Sequence, residues 1–304
     1  TTRCSSSAVA TAIDGHLLQR TKAHAVTSQA QPAADYTLDE LIAICIARQV
    51  EDGDLLAQGL ATPLVAAGYI LAQRTHAPNA FFASAIGQGM VQDWAPIGLA
   101  RAEELWSGKA LTHASFVTLA CDALHKLTPK EFFRPAQVDP AGNFNNIAIG
   151  TNYARPRLRL PGTGGIPDVT VYSPGVYLYV PRHSRAIFVP KLDWRSGLGH
   201  SDERRAGAGP RVLISDLGVF DWAEGTMRLV TTHPGVTAER VQARTGFPLA
   251  VAPDLRETLP PTAEEVRLLR EEIDPLGVRR LETLAGTARR DHLRDILRRE
   301  GVLD

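Results

Sequence analysis

Apolar and polar positions in the first third of the chain alternate in blocks that predict a helix, a strand, a helix and a strand. Segment 37–50 has apolar residues at helical spacing and opens with a capping box, so it predicts a helix. A short strand is predicted at 54–57, and a second helix at 62–74, which Pro63 opens. The apolar run 80–86 predicts a buried strand. This order favours an α/β fold with an open, largely parallel sheet flanked by helices.

The rest of the chain continues with shorter predicted elements. Helices are predicted from length, apolar content or N-terminal caps at 99–106, 111–127, 237–244 and 262–273. Strands are predicted at 171–180, 186–190 and 211–215, and the two arms of a hairpin at 219–222 and 227–230. The stretch 279–299 carries seven arginines among mixed charges, and we interpret it as a solvated amphipathic helix rather than a basic docking surface.

Composition divides the chain into three parts. Residues 1–35 are rich in Ser, Thr and Ala and lack apolar periodicity, which predicts a loosely ordered N-terminal extension. An organelle transit peptide has a similar composition. Residues 36–275 hold most of the predicted elements and form the main domain, and residues 276–304 are predicted to be a charged helical C-terminal extension.

Charge, apolar content and cysteine spacing narrow the classes of partner. The 304 residues include 33 basic and 33 acidic ones, a balance that gives no attraction to nucleic acid or to an anionic membrane. The longest apolar runs, such as 41–47, are far shorter than the roughly 18 residues that span a bilayer. Cys4, Cys45 and Cys121 are widely separated, which predicts buried thiols rather than disulfides or a zinc site. A cytoplasmic location is therefore expected.

Two loops carry residue types that suit the binding of an anion or a carbonyl oxygen. The turn 139–145 contains Asp, Pro, Gly and Asn, whose amides could bind a carboxylate or phosphate, although an ordinary structural turn fits the same spacing. The Gly-rich loop 161–165 allows close approach of the backbone to a ligand, with N–H groups for an oxyanion. It lacks the lysine of a P-loop and the strand–helix context of a dinucleotide site.

The histidines do not form a recognisable catalytic or metal site. His183 and Ser184 lie together before the predicted strand 186–190, and a neighbouring His–Ser pair could form a nucleophile. Adjacent residues in a strand point to opposite faces, however, so they seldom act on each other. His113, His200 and His233 are isolated and lack the spacing of a metal site. No metal is predicted.

Segments in a fixed order along 36–275 resemble the β subunit of the heteromeric family I coenzyme A transferases, typified by glutaconate CoA-transferase. They are 36–49 (YTLDELIAICIARQ), 76–79 (HAPN), 138–145 (VDPAGNFN), 161–165 (PGTGG), 214–220 (ISDLGVF), 233–236 (HPGV), 245–247 (TGF) and 273–275 (IDP). The late stretch 217–236 is most similar to the β subunit of the steroid-pathway hydrolase that opens a ring of a CoA-linked diketone. The resemblance implies a sheet of the NagB/RpiA type, an acyl-CoA thioester as substrate without a permanently bound cofactor, and a homologous α subunit as partner.

The resemblance also implies where a catalytic nucleophile would lie. In transferases of this family a glutamate of the β subunit, at the end of the strand after the HAPN-like segment, attacks the acyl-CoA. The matching position here is Ala85, and no Glu occurs in 54–102. A related decarboxylase has cysteine at this position, which this chain also lacks, and the neighbouring Ser84 has no adjacent base in the sequence. The related steroid-pathway hydrolase takes its catalytic carboxylate from the partner subunit and uses water as the attacking species.

Substrate contacts are expected at the strand end and in the two loops, where backbone N–H groups could hold a thioester carbonyl. The expected residues are Ser84, Ala85, Gly87, Gly142, Asn143, Asn145, Gly162, Gly164 and Gly165. The favoured function is a β subunit that builds half of an acyl-CoA site for water addition or carbon–carbon bond cleavage. The second is an ordinary CoA-transferase that uses Glu103 or Glu104, and the third is a scaffolding subunit that has kept the fold and lost the site.

Overall fold

The computed structural model describes residues 31–59, 62–84, 87–100 and 108–304. Its strands are β1 (Leu55–Ala57), β2 (Phe81–Ser84), β3 (Gly89–Val91), β4 (Ala110–His113), β5 (Lys130–Phe133), β6 (Gln137–Val138), β7 (Phe144–Asn145), β8 (Ala148–Ile149), β9 (Leu158–Arg159), β10 (Val176–Val180), β11 (Leu213–Ser215), β12 (Gly218–Ala223), β13 (Thr226–Thr232) and β14 (Ala250–Glu257).

Seven α-helices and three shorter helical turns accompany these strands in the described ranges. The α-helices are α1 (Leu38–Ala47), α2 (Pro63–Thr75), α3 (Leu124–Leu127), α4 (Ile166–Tyr172), α5 (Ala238–Arg244), α6 (Ala263–Arg267) and α7 (Gly286–Arg299). π-Helical turns lie at Thr118–Ala123 and Leu268–Ile273, and a 3-10 helix lies at Val278–Glu282. No helix in these ranges is long and apolar enough to cross a membrane.

Ten strands form one sheet in the order β14-β13-β12-β11-β10-β5-β1-β2-β3-β4. The five central strands β11, β10, β5, β1 and β2 run parallel to one another. Antiparallel pairs flank this centre on both sides, β12 with β11 and β13 on one side and β3 with β2 and β4 on the other. The predicted open, largely parallel sheet flanked by helices is confirmed, and the carboxyl ends of its central strands share one edge.

The two faces of the sheet pack into separate cores, and β10 contributes to both. All five residues of β10 are buried. Tyr177 and Tyr179 join the core that α1 and α2 cover, whereas Val176, Leu178 and Val180 join the core of the opposite face. A continuous apolar strand that alternates in this way is typical of a central strand covered on both faces.

Helices α1 and α2 approach closely because of Gly68. A Cβ at this position would lie 2.7 Å from the carbonyl oxygen of Ala43 and 2.7 Å from the side chain of Ile46. Helix α1 itself begins as predicted, with a capping box in which Glu40 accepts a hydrogen bond from the Thr37 N–H at 2.8 Å. Glycine at the contact therefore lets two apolar helices share one layer of the core.

Residues after 275 contact the main body through buried polar groups. The guanidinium of Arg279 lies 2.9 Å from Asp39, 3.0 Å from Glu40 and 2.9 Å from Asp274. The carboxylate of Glu282 accepts hydrogen bonds from three groups on other elements. These are the Leu64 N–H at 3.0 Å, the Tyr179 hydroxyl at 2.8 Å and the Arg134 guanidinium at 3.0 Å. This buried acid links the C-terminal segment to the N-terminus of α2 and to the sheet.

Several predicted elements are wrong, and each error concerns a segment whose partner is distant in sequence. The predicted helix at 111–127 begins as strand β4, because Ala110–His113 pairs with β3, and becomes helical only from 116. The predicted strand 171–180 starts at Val176, because residues 171 and 172 belong to α4 and residues 173–175 connect the two elements. Segment 186–190 makes a single bridge, Phe188 to Val138, instead of a strand.

Other predictions concern the hairpin, the missed strands and the termini. The hairpin of β12 and β13 is confirmed, whereas β3, β5 to β9 and β14 were not predicted. The predicted helix 262–273 consists of α6 followed by a π-helical turn. Most of the predicted helix 99–106 and of the N-terminal extension lies outside the described residues. Cys45 is buried, but Cys121 is exposed, so the expectation of buried thiols is wrong there.

Candidate functional site

The carboxyl ends of β1 and β2 lie side by side and form the first part of the candidate site. Ser84 ends β2 and is 3% exposed, and its hydroxyl accepts a hydrogen bond from the Gly87 N–H at 2.9 Å. Among the described side chains, no acid or histidine hydrogen-bonds to this hydroxyl, so none of them activates it as a nucleophile. Ala85 lies outside the described residues, as do Glu103 and Glu104.

The turn 139–145 is held together by its own polar groups. The carboxylate of Asp139 accepts hydrogen bonds from the Asn143 N–H at 2.9 Å and from its side-chain amide at 3.0 Å. Gly142, at φ +79°, donates its N–H to the Asp139 carbonyl at 3.0 Å, and a Cβ there would lie 2.8 Å from Trp222. The N–H groups of Gly142 and Asn143 therefore close the turn, contrary to the expectation that they are free to bind a ligand.

Asn145 has a structural position at the end of this turn. It is fully buried, and its amide donates to the side chain of Gln137 and to the carbonyl of Ala148, both at 2.8 Å. The side-chain carbonyl oxygen of Asn145 accepts a hydrogen bond from the Ile147 N–H at 2.9 Å. The side chain thus fixes the path of the chain from β7 to β8.

The loop 161–165 differs from the turn because part of its backbone is open. Gly162 donates its N–H to the Asn146 carbonyl at 3.1 Å, whereas no described residue accepts a hydrogen bond from the N–H of Gly164 or Gly165. All three glycines are exposed, and added Cβ atoms would meet nothing within 4 Å. Gly162 and Gly164 have φ of +106° and +51°, conformations that favour glycine. Among the expected backbone donors, Gly164 and Gly165 best fit the predicted role.

The residue that follows the turn 139–145 joins it to the loop 161–165, and among the described residues no direct link to the strand end occurs. The joining contact is the Gly162 N–H to Asn146 carbonyl hydrogen bond. In the described part of the chain, no hydrogen bond connects Ser84 or Gly87 to either segment. The expected residues that the structure describes thus fall into two groups, one at the strand end and one in the joined turn and loop.

Glu131 in β5 is a candidate that the sequence analysis missed. Strand β5 lies between β1 and β10, and Glu131 is in register with Ala57 and Val176. Its carboxylate points to the end of β1, because a Cβ at Gly59 would lie 3.9 Å from the Glu131 Oε1 atom. Burial raises the pKa of Glu131 to about 7. The only signal in the sequence is an acid directly before the apolar pair Phe132 and Phe133, in a segment for which no strand was predicted.

Two buried histidines have structural roles. His183 bonds through its two ring nitrogens to the hydroxyls of Ser215 and Thr245, at 3.2 and 3.0 Å, and does not contact Ser184. His233 bonds to the carbonyl of Ser215 at 2.8 Å and to the hydroxyl of Thr258 at 3.0 Å. Burial lowers the pKa of His183 to about 3 and that of His233 to about 4, so both are neutral at pH 7.

The open clefts of the described surface do not coincide with the expected contacts. Of two such clefts, one is lined by residues of the C-terminal segment with Glu40 and Arg270, and a second by residues 93–96 with Lys109. No group of three or more potential metal-binding side chains occurs among the described residues. The strand ends and the open glycine loop therefore remain the best candidate site on chemical grounds.

Comparison with known proteins identifies the family. The coenzyme A transferase family model matches residues 132–244. The B-subunit of the glutaconate CoA-transferase of Acidaminococcus fermentans is 30% identical over 258 residues, which are 79% of this chain and 94% of that protein. The IpdB subunit of the cholesterol ring-cleaving hydrolase of Mycobacterium tuberculosis is 29% identical over 250 residues, 80% of this chain and 97% of that protein.

A solved structure agrees with these sequence relatives. A chain of the decarboxylase AibA/AibB superposes with a TM-score of 0.72 at 30% identity, over 83% of this chain and 100% of that chain. Transferase, hydrolase and decarboxylase names thus occur among the similar proteins, as the resemblance from the sequence segments implied. The chain belongs to the coenzyme A transferase family.

Proposed function

We propose that this chain is the β-type subunit of a two-subunit enzyme that acts on an acyl-CoA thioester. Its relatives are named as one subunit of a larger enzyme, as the B-subunit of a CoA-transferase or as the IpdB subunit of a hydrolase. A homologous α subunit would complete the site at the interface. Coenzyme A enters as part of the substrate and needs no permanent cofactor.

We further propose that the reaction is water addition or carbon–carbon bond cleavage rather than CoA exchange. The observation that carries this proposal is the absence of glutamate from 54–102, with Ala85 at the position of the family nucleophile. Ser84 is a poor substitute, because its buried hydroxyl is bonded to the Gly87 N–H and has no described base beside it. Without a nucleophile on this chain, CoA cannot be held covalently between two acids.

The open N–H groups of Gly164 and Gly165 are the proposed donors to the substrate carbonyl oxygen. Preorganised donors help most where negative charge develops in the transition state, and each can contribute about 10²–10³ in rate. The resemblance to the steroid-pathway hydrolase places a further catalytic carboxylate on the partner subunit, where it would orient the attacking water.

Product analysis of the co-purified complex of this chain and its α subunit tests the proposal. The probes are glutaconyl-CoA and 3-oxoadipyl-CoA, incubated in ¹⁸O-labelled water with and without acetate as acceptor. We expect ¹⁸O in the product, no dependence on acetate, and no thioester on this chain that hydroxylamine or borohydride can trap. Acetate-dependent formation of acetyl-CoA through such a thioester would contradict the proposal.

Genuine CoA transfer is the second candidate function, because several relatives are named transferases. It would require another acid, and Glu103 and Glu104 are the nearest glutamates after the missing position. Glu103→Gln and Glu104→Gln separate the two functions. Unchanged turnover in both variants excludes these residues as the nucleophile, whereas loss of both transfer and trapped thioester in one variant identifies it.

A further inference from the structure

Glu131 is a partly buried acid to which no described residue donates a hydrogen bond or offers an ion pair. We infer that Glu131 is a general acid–base of this enzyme, which takes a proton from the attacking water and returns it to the leaving group. This inference rests on the proposed function and adds to it a catalytic carboxylate on this subunit, beside the one expected from the partner.

The register of three parallel strands places Glu131 on the same face of the sheet as Ala57 and Ala83, near the ends of β1 and β2. Glu131 is level with Ala57 of β1, which is level with Ala83 of β2. Residues in register on neighbouring parallel strands project from the same face, and strands lie about 4.8 Å apart, so the Glu131 and Ala83 backbones are about 10 Å apart. This face is opposite to α1 and α2, whose core includes Phe132 of the same strand.

The carboxylate of Glu131 reaches the edge where ligands of such sheets bind. Gly59, two residues beyond β1, is exposed, and its Cβ position lies 3.9 Å from Glu131 Oε1. In open α/β sheets, ligands bind outside the carboxyl ends of the strands. The backbone of Glu131 therefore lies within the sheet, and its carboxylate lies at the edge that a ligand can approach.

Buried acids elsewhere in the described structure show how this chain satisfies a structural carboxylate. Glu282 accepts three hydrogen bonds, one of them from Arg134. Asp274 accepts from the N–H groups of Val278 and Arg279 at 2.7 and 3.0 Å. A buried acid without such partners costs stability and is retained where it has another use. Glu131 has that status among the described residues.

The surroundings of Glu131 also suit proton transfer. Its register neighbours Ala57 and Val176 are neutral, and burial without an offsetting charge raises its pKa to about 7. Burial, and after it the charge of Glu131, raises the pKa of Tyr69 of α2. Lys130, the adjacent cation, pairs with Asp54 at 2.6 Å. A pKa near the ambient pH is best for general acid–base catalysis.

The proton balance of the step is closed. The Glu131 carboxylate accepts a proton from water as the water oxygen bonds to the carbonyl carbon. The bond from that carbon to its leaving group then breaks, and Glu131 returns the proton to the departing thioester sulfur or carbon. One water is consumed, nothing is oxidised or reduced, and the carboxylate is regenerated.

Kinetics of Glu131→Gln in the purified complex, with glutaconyl-CoA and 3-oxoadipyl-CoA as probes, test this role. We expect kcat to fall about 10²-fold or more, because the amide keeps the shape but cannot accept the proton. KM should change less, by about threefold at most, and the rise of wild-type kcat through about pH 7 should disappear. Glu257→Gln, an exposed glutamate at the end of β14, should keep the wild-type kcat.

Two outcomes of the experiments with substrate would overturn the inference. One is a Glu131→Gln complex with kcat within about twofold of the wild type. The other is trapping of an acyl or CoA group on Glu131, which would make it a nucleophile and would contradict the proposed function as well. CoA transfer through a thioester elsewhere contradicts the proposed function, whereas a hydrolytic reaction with wild-type kcat in the Glu131→Gln complex contradicts this inference alone.

A measurement without substrate covers the case in which neither probe reacts. The melting temperature of Glu131→Gln relative to wild type should increase between pH 5 and pH 8.5, since only the wild type then ionises a desolvated acid. A difference that stays constant over this range means that the carboxylate is freely solvated, and it overturns the inference.

Discussion

Two carboxylates against the same sheet, Glu282 and Glu131, have opposite surroundings. Glu282 is 4% exposed and accepts hydrogen bonds from Leu64, Tyr179 and Arg134. Burial raises its pKa, and the nearby Arg134 and these hydrogen bonds act against the shift. For Glu131, burial raises the pKa, and no neighbouring charge or hydrogen bond of the described residues acts against it. The contrast teaches that a satisfied buried acid joins elements of a fold, whereas an unsatisfied one at a strand end is available for chemistry.

Glu282→Ala should have the largest effect on stability. It leaves a buried N–H, a buried hydroxyl and a guanidinium without their acceptor, and breaking such a buried pair costs about 3–5 kcal/mol. Urea denaturation of the complex measures the change, with Glu257→Gln as an exposed control. A loss below about 1 kcal/mol would show that Glu282 does not link the C-terminal segment to the sheet.

The next largest effect on stability should come from acid pH, which protonates the two buried, neutral histidines. His183 and His233 have folded pKa values of about 3 and 4, below the ordinary 6.5, so their neutral forms stabilise the fold above pH 6.5. As pH falls from 6.5 towards 4, each histidine should lower the free energy of unfolding by about 1.4 kcal/mol per pH unit.

The pH slope of stability, rather than its absolute value, isolates this effect. His183→Gln should reduce the slope of the free energy of unfolding between pH 6.5 and 5 by the share of one histidine. An unchanged slope would mean that the pKa of His183 is the same in the folded and unfolded states.

Glu131→Gln should have a smaller effect on stability, and its dependence on pH should be opposite to that of the histidines. The folded pKa of Glu131, about 7, is raised above its ordinary 4.5, so its contribution to stability is complete below pH 4.5 and is lost as pH rises through 7. The variant should therefore melt higher than wild type at pH 8.5, by a few degrees, and close to it at pH 4.5. Differential scanning calorimetry at the two pH values checks the sign.

Substitutions in the turn 139–145 and in the loop 161–165 should have the smallest effects on stability. They test the same contrast, because the N–H of Gly142 is hydrogen-bonded within its turn, whereas that of Gly164 has no described acceptor. Gly164→Ala adds a side chain into open space and should cost only backbone strain, about 1 kcal/mol. Gly142→Ala should cost more, because its Cβ would also contact Trp222 at 2.8 Å. Thermal melts of both variants check the order, and an equal loss would show that the turn adapts to the side chain.

The sequence predicted local structure well where the signal was local. The capping box at Thr37 and Glu40 and the hairpin of β12 and β13 depend on residues close in the chain, and both are present. Strand β4 was predicted as helix because its apolar residues fit either period, and only pairing with β3 decides between them. Segment 186–190 has strand composition, but no second strand lies beside it for more than one bridge in the described part of the chain.

The candidate site was predictable only in part for the same physical reason. The open loop with Gly164 and Gly165 follows from glycine content, which is visible in the sequence. The closed state of the Gly142 turn depends on hydrogen bonds to Asp139 and on contact with Trp222, which is distant in the chain. Glu131 could not be found without the register of β5 beside β1, since position 131 is far from Ala85 in sequence.

The mass of this chain after reaction tests the central claim most directly. The intact complex is mixed with glutaconyl-CoA and acetate, quenched with borohydride and measured by mass spectrometry. The account predicts an unmodified mass, because Ala85 offers no carboxylate to hold CoA. A covalent adduct or a borohydride-reduced carboxyl group on any residue of this chain would contradict it.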